Sequence, residues 1–415
     1  MKKDINVLII GANFTNKGAE AMLKVVKQQL QRNHEQLTCY LVCRAYERGL
    51  AESYGFIPLF NVESASQRKI NGLLYRVKGK LYKLFTGKSR PWYFPFPFQA
   101  IEKIMYRLDA IIDISGFAYA DSWGQPIIDE TIRLMQMGKR NQVKCFFMPQ
   151  AWGPFNVPNV AQSARKMLTL ADGFFARDRV SRSHLSTLLQ RDPESIPLLP
   201  DIVFSLADEE GISSAPTTAS NRSSGQRFQI GISPNLRVYE KLSGEGTDSP
   251  YMRTLLALCR HCMDTLGAEI VLIPNELFPD GVAHTDDRML CRQIYELLGK
   301  PQRCKLLDPY ASAETIRDHI RQVDLLVSSR FHALIFGFLE QKPVMAISWS
   351  HKYRELFELF GLEDYVLESD AIDETSVIFK FQQLLENRDE VVKKINGQLP
   401  SLKERVDNMF SDLLD

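Results

Sequence analysis

The stretch Val323–Lys352, VDLLVSSRFHALIFGFLEQKPVMAISWSHK, limits the choice of fold more than any other part of the chain. An acid, Asp324, leads a short apolar run to Val327, which has the length and content of a parallel strand buried on both faces. Ser328, Ser329 and Arg330 follow at its carboxyl end, where open α/β sheets bind their ligands. Phe331 to Glu340 reads as a helix with His332 in its first turn. Lys342-Pro343 breaks it, and Pro343–Ser348 reads as the next strand. His351 and Lys352 arrive just beyond that strand. Two strand ends thus bring Ser329, Arg330, His332, His351 and Lys352 toward one crevice, beside a helix N-terminus whose free N–H groups favour an anion. Phosphate or carboxylate is the expected guest.

The same grammar recurs along the chain. Asp172 to Arg177 repeats the order acid, apolar run, arginine entering a helix, which points to two similar α/β halves and not to a solenoid. Strands are expected at Ile5–Ile10, Leu37–Cys43, Asp109–Ser115, Val143–Met148, Phe228–Ser233, Ala268–Pro274 and Cys304–Leu307. They alternate with helices that include 250–266, 286–298 and 313–322, a pattern of parallel sheets. A chain of 415 residues exceeds one comfortable core. Asp208 to Arg227, DEEGISSAPTTASNRSSGQR, nearly lacks large apolar residues and reads as a linker. The organisation expected is therefore a Rossmann-like domain at 1–207, a linker at 208–227, a second Rossmann-like domain at 228–372 and a helical tail at 373–415.

Function classes narrow by what is missing. The formal net charge of +1 gives no pull toward nucleic acid. Seven cysteines in so long a chain make no disulfide framework. The apolar run after Met1-Lys2-Lys3-Asp4 is too short for a signal-peptide core or a bilayer span, so a reducing cytoplasm is the expected compartment. Cys259-Arg260-His261-Cys262 lies in a helical pattern without a second CxxC, so no metal is expected there. No GxSxG, HExxH or P-loop occurs.

Other groups add to the candidate site. Between Ile5–Ile10 and its helix, Gly11 to Gly18 forms a loop that either serves the tight turn alone or, through Asn13, Asn16 and the helix N-terminus, binds a ligand. Asp121, flanked by Gly116 and Gly124 past a strand end, suits a general base better than Asp113, which sits inside the strand. Arg237 follows the first strand of the second half and can hold a planar carboxylate or phosphate by two hydrogen bonds. Arg177 has similar geometry, with Asp178 or Asp201 as its expected ion-pair partner. From Arg68 to Arg90, RKINGLLYRVKGKLYKLFTGKSR carries eight basic residues and no acid, with aromatic residues following. It reads as a helix that lies on an anionic membrane surface or packs its apolar side on the domain.

The order Ser-Arg-Phe-His-Ala-Leu, helix, Lys-Pro-Val-Met-Ala-Ile and a later Lys resembles the polysaccharide pyruvyl transferase family, as does the Gly-x-Asn-x-x-x-x-Gly-Ala-Glu-Ala-Met-Leu wording of residues 11 to 23. The resemblance implies a GT-B-type arrangement of two Rossmann-like domains, an acceptor side in the first and a phosphoenolpyruvate side in the second. It implies transfer of a pyruvyl group from phosphoenolpyruvate onto a sugar (galactose is a candidate) of a capsule or exopolysaccharide precursor, as a cyclic ketal and without a cofactor. Arg330 and His332 match the family's Arg-x-His motif, with His332 as acid or phosphate ligand. Arg237 matches an arginine after the first strand of the carboxyl domain, Asp121 the acidic position of the Gly-rich loop, and Lys352 contributes charge. The chain departs from the family at Ile114-Ser115-Gly116-Phe117, where a run of glycines is usual. A lipid-linked oligosaccharide acceptor implies peripheral contact with the inner face of the membrane through Arg68–Arg90. A GT-B glycosyltransferase using a nucleotide sugar, with Glu355 or Glu358 on the ribose, and a non-catalytic glycan-binding member are the competing readings.

Overall fold

The computed structural model describes residues 4–61, 96–207, 227–242, 249–279 and 286–413. Arg68–Arg90 and nearly all of the expected linker lie outside these residues. The chain divides into two compact units, one made of Met1–Asn13 with Gln29–Leu199 and the other of Phe14–Gln28 with Pro200–Asp415.

In chain order the elements up to residue 189 are β1 (Ile5–Ile10), α1 (Lys17–Asn33), β2 (Leu37–Val42), α2 (Arg48–Ser53), β3 (Ile57–Leu59), α3 (Phe98–Ile104), β4 (Ala110–Asp113), α4 (Gln125–Arg140), β5 (Lys144–Gln150), α5 (Pro158–Thr169), β6 (Gly173–Ala176) and α6 (Arg179–Leu189). Residues of α1 through Gln28 count with the second unit. The strands of the first unit form a parallel six-stranded sheet in the order β3-β2-β1-β4-β5-β6. Its core runs from Leu8 and Ile111 to Phe147 and Trp152, with the Tyr119 and Trp152 rings stacked at 5.5 Å.

The second unit continues with β7 (Gln229–Ser233), α7 (Leu236–Leu242), α8 (Pro250–Arg260), β8 (Glu269–Leu272), α9 (Asp287–Leu297), β9 (Cys304–Leu306), α10 (Ala313–Gln322), β10 (Leu325–Ser328), α11 (Phe331–Leu339), β11 (Val344–Ile347), α12 (Lys352–Glu358), β12 (Val366–Leu367), α13 (Glu374–Glu386) and α14 (Arg388–Asp412). Its six strands are also parallel, ordered β12-β11-β10-β7-β8-β9. The short edge strands β3 and β12 were not foreseen, because two or three residues of pairing leave no apolar run to read. α14 packs on the turn Ile202–Ser205, burying Val406 and Phe410, and the Ser205 hydroxyl donates to Asp407.

The acids that lead several strands have a structural explanation. Asp109 accepts a hydrogen bond from Asn6 N at 2.8 Å, Asp172 from Cys145 N at 2.6 Å and Asp324 from Gln229 N at 2.6 Å. In each case the aspartate's own N–H donates to the carbonyl of the same neighbour. Each acid therefore satisfies a backbone amide in the first two residues of the adjacent strand and sets the register of the apolar residues that follow.

Candidate active site

In the second unit β7 and β10 lie side by side at the centre of the sheet, and the chain leaves them toward opposite edges. This reversal makes a crevice at the carboxyl ends of the two strands, the usual ligand position of such sheets. Ser233 and Ser328 are partners in register there. Ser329 N donates to Ser233 O at 3.0 Å. The Ser329 hydroxyl accepts from Tyr251 Oη at 2.8 Å, and its carbonyl accepts from Asn235 Nδ2 at 3.0 Å and Tyr353 Oη at 2.5 Å. Burial pushes both tyrosine phenols up, so they stay protonated and serve as donors. Ser329 is thus a fixed part of the corner, and its side chain is already engaged.

Arg330 caps α11 and is only 7% exposed. Its Nη1 donates to Glu276 Oε2 at 2.9 Å, and its Nη2 pairs with the Asp287 carboxylate. Asp287, fully buried, also accepts from the backbone N–H groups of Leu236, Asn275 and Glu276 at 3.1, 3.0 and 2.8 Å. Burial lifts the Asp287 carboxyl against the opposing field of Arg330. Burial works in the same direction on Glu276, but there Arg330 and Arg237 prevail and hold it below the usual carboxylate range. Arg237, with a side chain 55% exposed, reaches Glu276 at 3.5 Å and Glu240 at 3.3 Å. The two arginines therefore share one ionised carboxylate. Arg330 Nε is buried and without a hydrogen-bond partner among the described residues.

His332 is the one polar side chain of α11, FHALIFGFL, whose other residues are almost all buried. Its Nε2 is buried, makes no hydrogen bond among the described residues and lies 3.5 Å from Asp201 Oδ2. The Phe331 ring meets it edge-on at 5.5 Å. Against the ring lies Gly18, where an added Cβ would stand 1.9 Å from Cγ and Nδ1.

Gly18 is brought there by the start of α1. Lys17 N donates to Asn275 O at 3.1 Å, Leu277 N to Thr15 O at 2.8 Å, and Asn16 forms a bridge with Glu276. The Asn16 side chain accepts from Gly18 N at 3.0 Å and so caps the helix. Lys17, fully buried, donates to Phe14 O, Glu20 and Tyr310 Oη at 2.7, 2.8 and 3.0 Å. Lys352 Nζ sits 5.3 Å from the Phe331 ring centre and 4.8 Å from that of Trp349, and His351 beside it is exposed. Lys241 approaches the same Trp349 ring at 5.5 Å.

Arg237, Asn16, Ser329, Arg330, His332, His351 and Lys352 all belong to the second unit, whereas Asn13 and Asp121 belong to the first. Asp121 accepts from Asn156 N at 2.7 Å and Val157 N at 3.1 Å, which ties its loop to the start of α5. Asp113 is 2% exposed and accepts from Tyr119 Oη at 2.6 Å and Ser115 N at 2.8 Å. Burial raises its carboxyl to about 6, with both hydrogen bonds opposing. Gly11, at φ +83°, passes so close to Ser115 that an added Cβ would stand 2.1 Å from its Oγ. Cys259 and Cys262 are buried, and burial pushes the Cys262 thiol up to about 12.

Sequence reasoning missed Glu276, Asp287 and Asp201 as partners of the motif, and gave Asp201 to Arg177 as an alternative. Only their local roles carried a signal: an acid pair opens α9, and Asp201 precedes a short turn in which it accepts from Val203 N at 3.0 Å.

The family model described as polysaccharide pyruvyl transferase matches residues 16–351. Among solved structures, a UDP-GlcNAc 2-epimerase from Neisseria meningitidis bound to UDP-GlcNAc is 13% identical with a TM-score of 0.57, over 99% of this chain and 100% of that one. A glycosyltransferase from Rickettsia africae is 13% identical with a TM-score of 0.54, over 99% and 96%. A spinosyn rhamnosyltransferase complexed with spinosyn aglycone is 10% identical with a TM-score of 0.56 and full coverage of both chains. At such identities the likeness concerns the fold, which is GT-B-like.

Proposed function

Because the chain belongs to the polysaccharide pyruvyl transferase family, we propose that His332, Arg330, Arg237 and Lys352 serve transfer of a pyruvyl group from phosphoenolpyruvate onto two hydroxyls of one sugar. The observation that carries the residue assignment is the meeting of a histidine, two arginines and a helix N-terminus at the switch point of the second sheet. The donor has a phosphate and a carboxylate on one carbon, so it asks for more than one cation. Arg237, largely exposed, offers its fork to the carboxylate. The start of α11 and Lys352 favour the phosphate. Arg330 retains Nε for a ligand while its Nη atoms hold Glu276 and Asp287. Ser329 and Asn16 brace the same corner, and His351 is a proposed substrate contact beside Lys352.

In the reaction His332 gives a proton to the methylene carbon of phosphoenolpyruvate, which becomes a methyl group, and the neighbouring carbon turns electrophilic. A sugar hydroxyl adds to that carbon and loses its proton to a base. The carbon–oxygen bond to phosphate breaks, a second hydroxyl of the sugar closes the ring, and its proton leaves with the phosphate. The net products are a cyclic pyruvate ketal and inorganic phosphate, with no change of oxidation state. A galactose residue of a capsule or exopolysaccharide precursor is the proposed acceptor, carried on a lipid. Arg68–Arg90 would then hold the protein at the inner face of a membrane; no helix among the described residues is long and apolar enough to cross one.

The test incubates the protein with phosphoenolpyruvate and β-galactosides, and follows product mass and free phosphate. A pyruvyl adduct with matching phosphate release is expected, and Arg237→Lys should impair it because an ammonium cannot reproduce the fork. Sugar transfer from a nucleotide donor, with no pyruvyl adduct on any acceptor, would overturn the proposal.

A further inference from the structure

Among the described residues His332 Nε2 is buried and makes no hydrogen bond, and Asp201 Oδ2 lies 3.5 Å from it. Asp201 is 2% exposed, and its other oxygen is committed to Val203 N at 3.0 Å. Gly18 lies against the ring, and the Phe331 ring meets it edge-on at 5.5 Å. A carboxylate facing one imidazole nitrogen favours the tautomer that carries its proton there, and leaves the second nitrogen as the acceptor or donor for chemistry.

We infer that Asp201 is a positioning residue for His332: it accepts from Nε2–H in the neutral ring, so that Nδ1 takes up the second proton and gives it, from the imidazolium, to the methylene carbon of the substrate. This inference rests on the proposed pyruvyl transfer for its chemical meaning and on the geometry alone for the tautomer. The 3.5 Å separation is long for a hydrogen bond, as catalytic hydrogen bonds often are before substrate binds. Asp201 never touches the substrate in this scheme. Its effect passes through the orientation and protonation state of the ring, as the aspartate's does in a serine-protease triad.

Asp201→Asn separates this role from a structural one. Asn caps a turn as well as Asp, so the contact with Val203 N and the fold should persist. Its amide, turned toward Nε2, donates where the carboxylate accepted and drives the imidazole proton to Nδ1. The first readout is the tautomer itself, from ¹⁵N shifts of labelled histidine, with the His332 signal identified by its loss in His332→Gln. Wild type should carry the proton on Nε2, and Asp201→Asn should move it to Nδ1. The second readout is turnover, expected to fall by about 10²–10⁴-fold with KM for phosphoenolpyruvate little changed. A wild-type His332 protonated on Nδ1, or a tautomer unmoved in Asp201→Asn, would overturn the inference. If wild type transfers no pyruvyl group to any acceptor, the pyruvyl reading fails, and the tautomer measurement still decides the role of Asp201.

Discussion

Gly18 and His332, 314 positions apart in the chain, touch so closely that a side chain at Gly18 would occupy the space of the imidazole, its Cβ 1.9 Å from Cγ and Nδ1. Gly18 sits in the first turn of α1, where helix propensity alone favours alanine by about 1 kcal/mol. The contact reverses that sign. Gly18→Ala should cost about 1–3 kcal/mol, as overpacking does, or push the ring out of line and lower turnover instead. Urea unfolding and pyruvyl-transfer rates on the same preparation test it. A variant at least as stable as wild type and fully active would mean that the ring has room to move.

Arg330 is held by two carboxylates, so its removal strands buried charge on Glu276 and Asp287. Arg330→Ala should lose about 3–5 kcal/mol of stability. Any loss of activity in that variant therefore mixes chemistry with unfolding, and a chemical denaturation midpoint close to wild type would show that the cluster is less tightly coupled than its geometry indicates.

Glu276 occupies both arginines with an ionised carboxylate, in competition with an anionic substrate. Glu276→Gln keeps the shape and removes the charge, so KM for phosphoenolpyruvate should fall severalfold, with the largest difference at low salt. Steady-state kinetics at two ionic strengths are sufficient. An unchanged or raised KM would mean that Glu276 helps to form the site and does not compete within it.

Burial raises the Asp113 carboxyl from the ordinary carboxylate range to about 6. The folded state therefore binds this proton more tightly than the unfolded chain. Its contribution is fully present below about pH 4 and is lost as pH rises through about 6, a change on the order of 3 kcal/mol. Asp113→Asn removes that dependence. Melting curves across pH 4 to 7 should show wild type losing ground to the variant as pH rises, and parallel curves would refute the assignment.

The basic stretch Arg68–Arg90 should bind anionic liposomes, and added salt should weaken the binding. Flotation of wild type beside a variant with four of its Lys and Arg residues changed to Gln checks this. Equal recovery of the two would remove the membrane proposal.

The alternation of strand and helix was legible from residue to residue, because a strand buried on both faces must be a short apolar run and a helix over it must repeat its apolar positions. Helix α10 matches the expected 313–322 throughout. The cluster of Arg330, His332 and Lys352 was legible for the same local reason: it lies within one strand, one helix and the next strand end. What that cluster touches was not. Asp287 lies 43 residues from Arg330, and Asp201 reaches His332 across 131 residues. No spacing rule spans such gaps.

By itself the sequence determined the two parallel sheets, the corner that carries the Arg-x-His motif and the resemblance to a family, since each depends on contacts between near neighbours or on wording within one segment. Only the tertiary structure decided that the strand-leading acids clasp neighbouring backbones, that the first turn of α1 packs in the second unit against His332, and that Glu276 and Asp287 balance Arg330. The physical reason is that a buried charge takes whichever opposite charge the folded chain brings within a few ångströms, and the sheet order sets that distance where the separation along the chain does not.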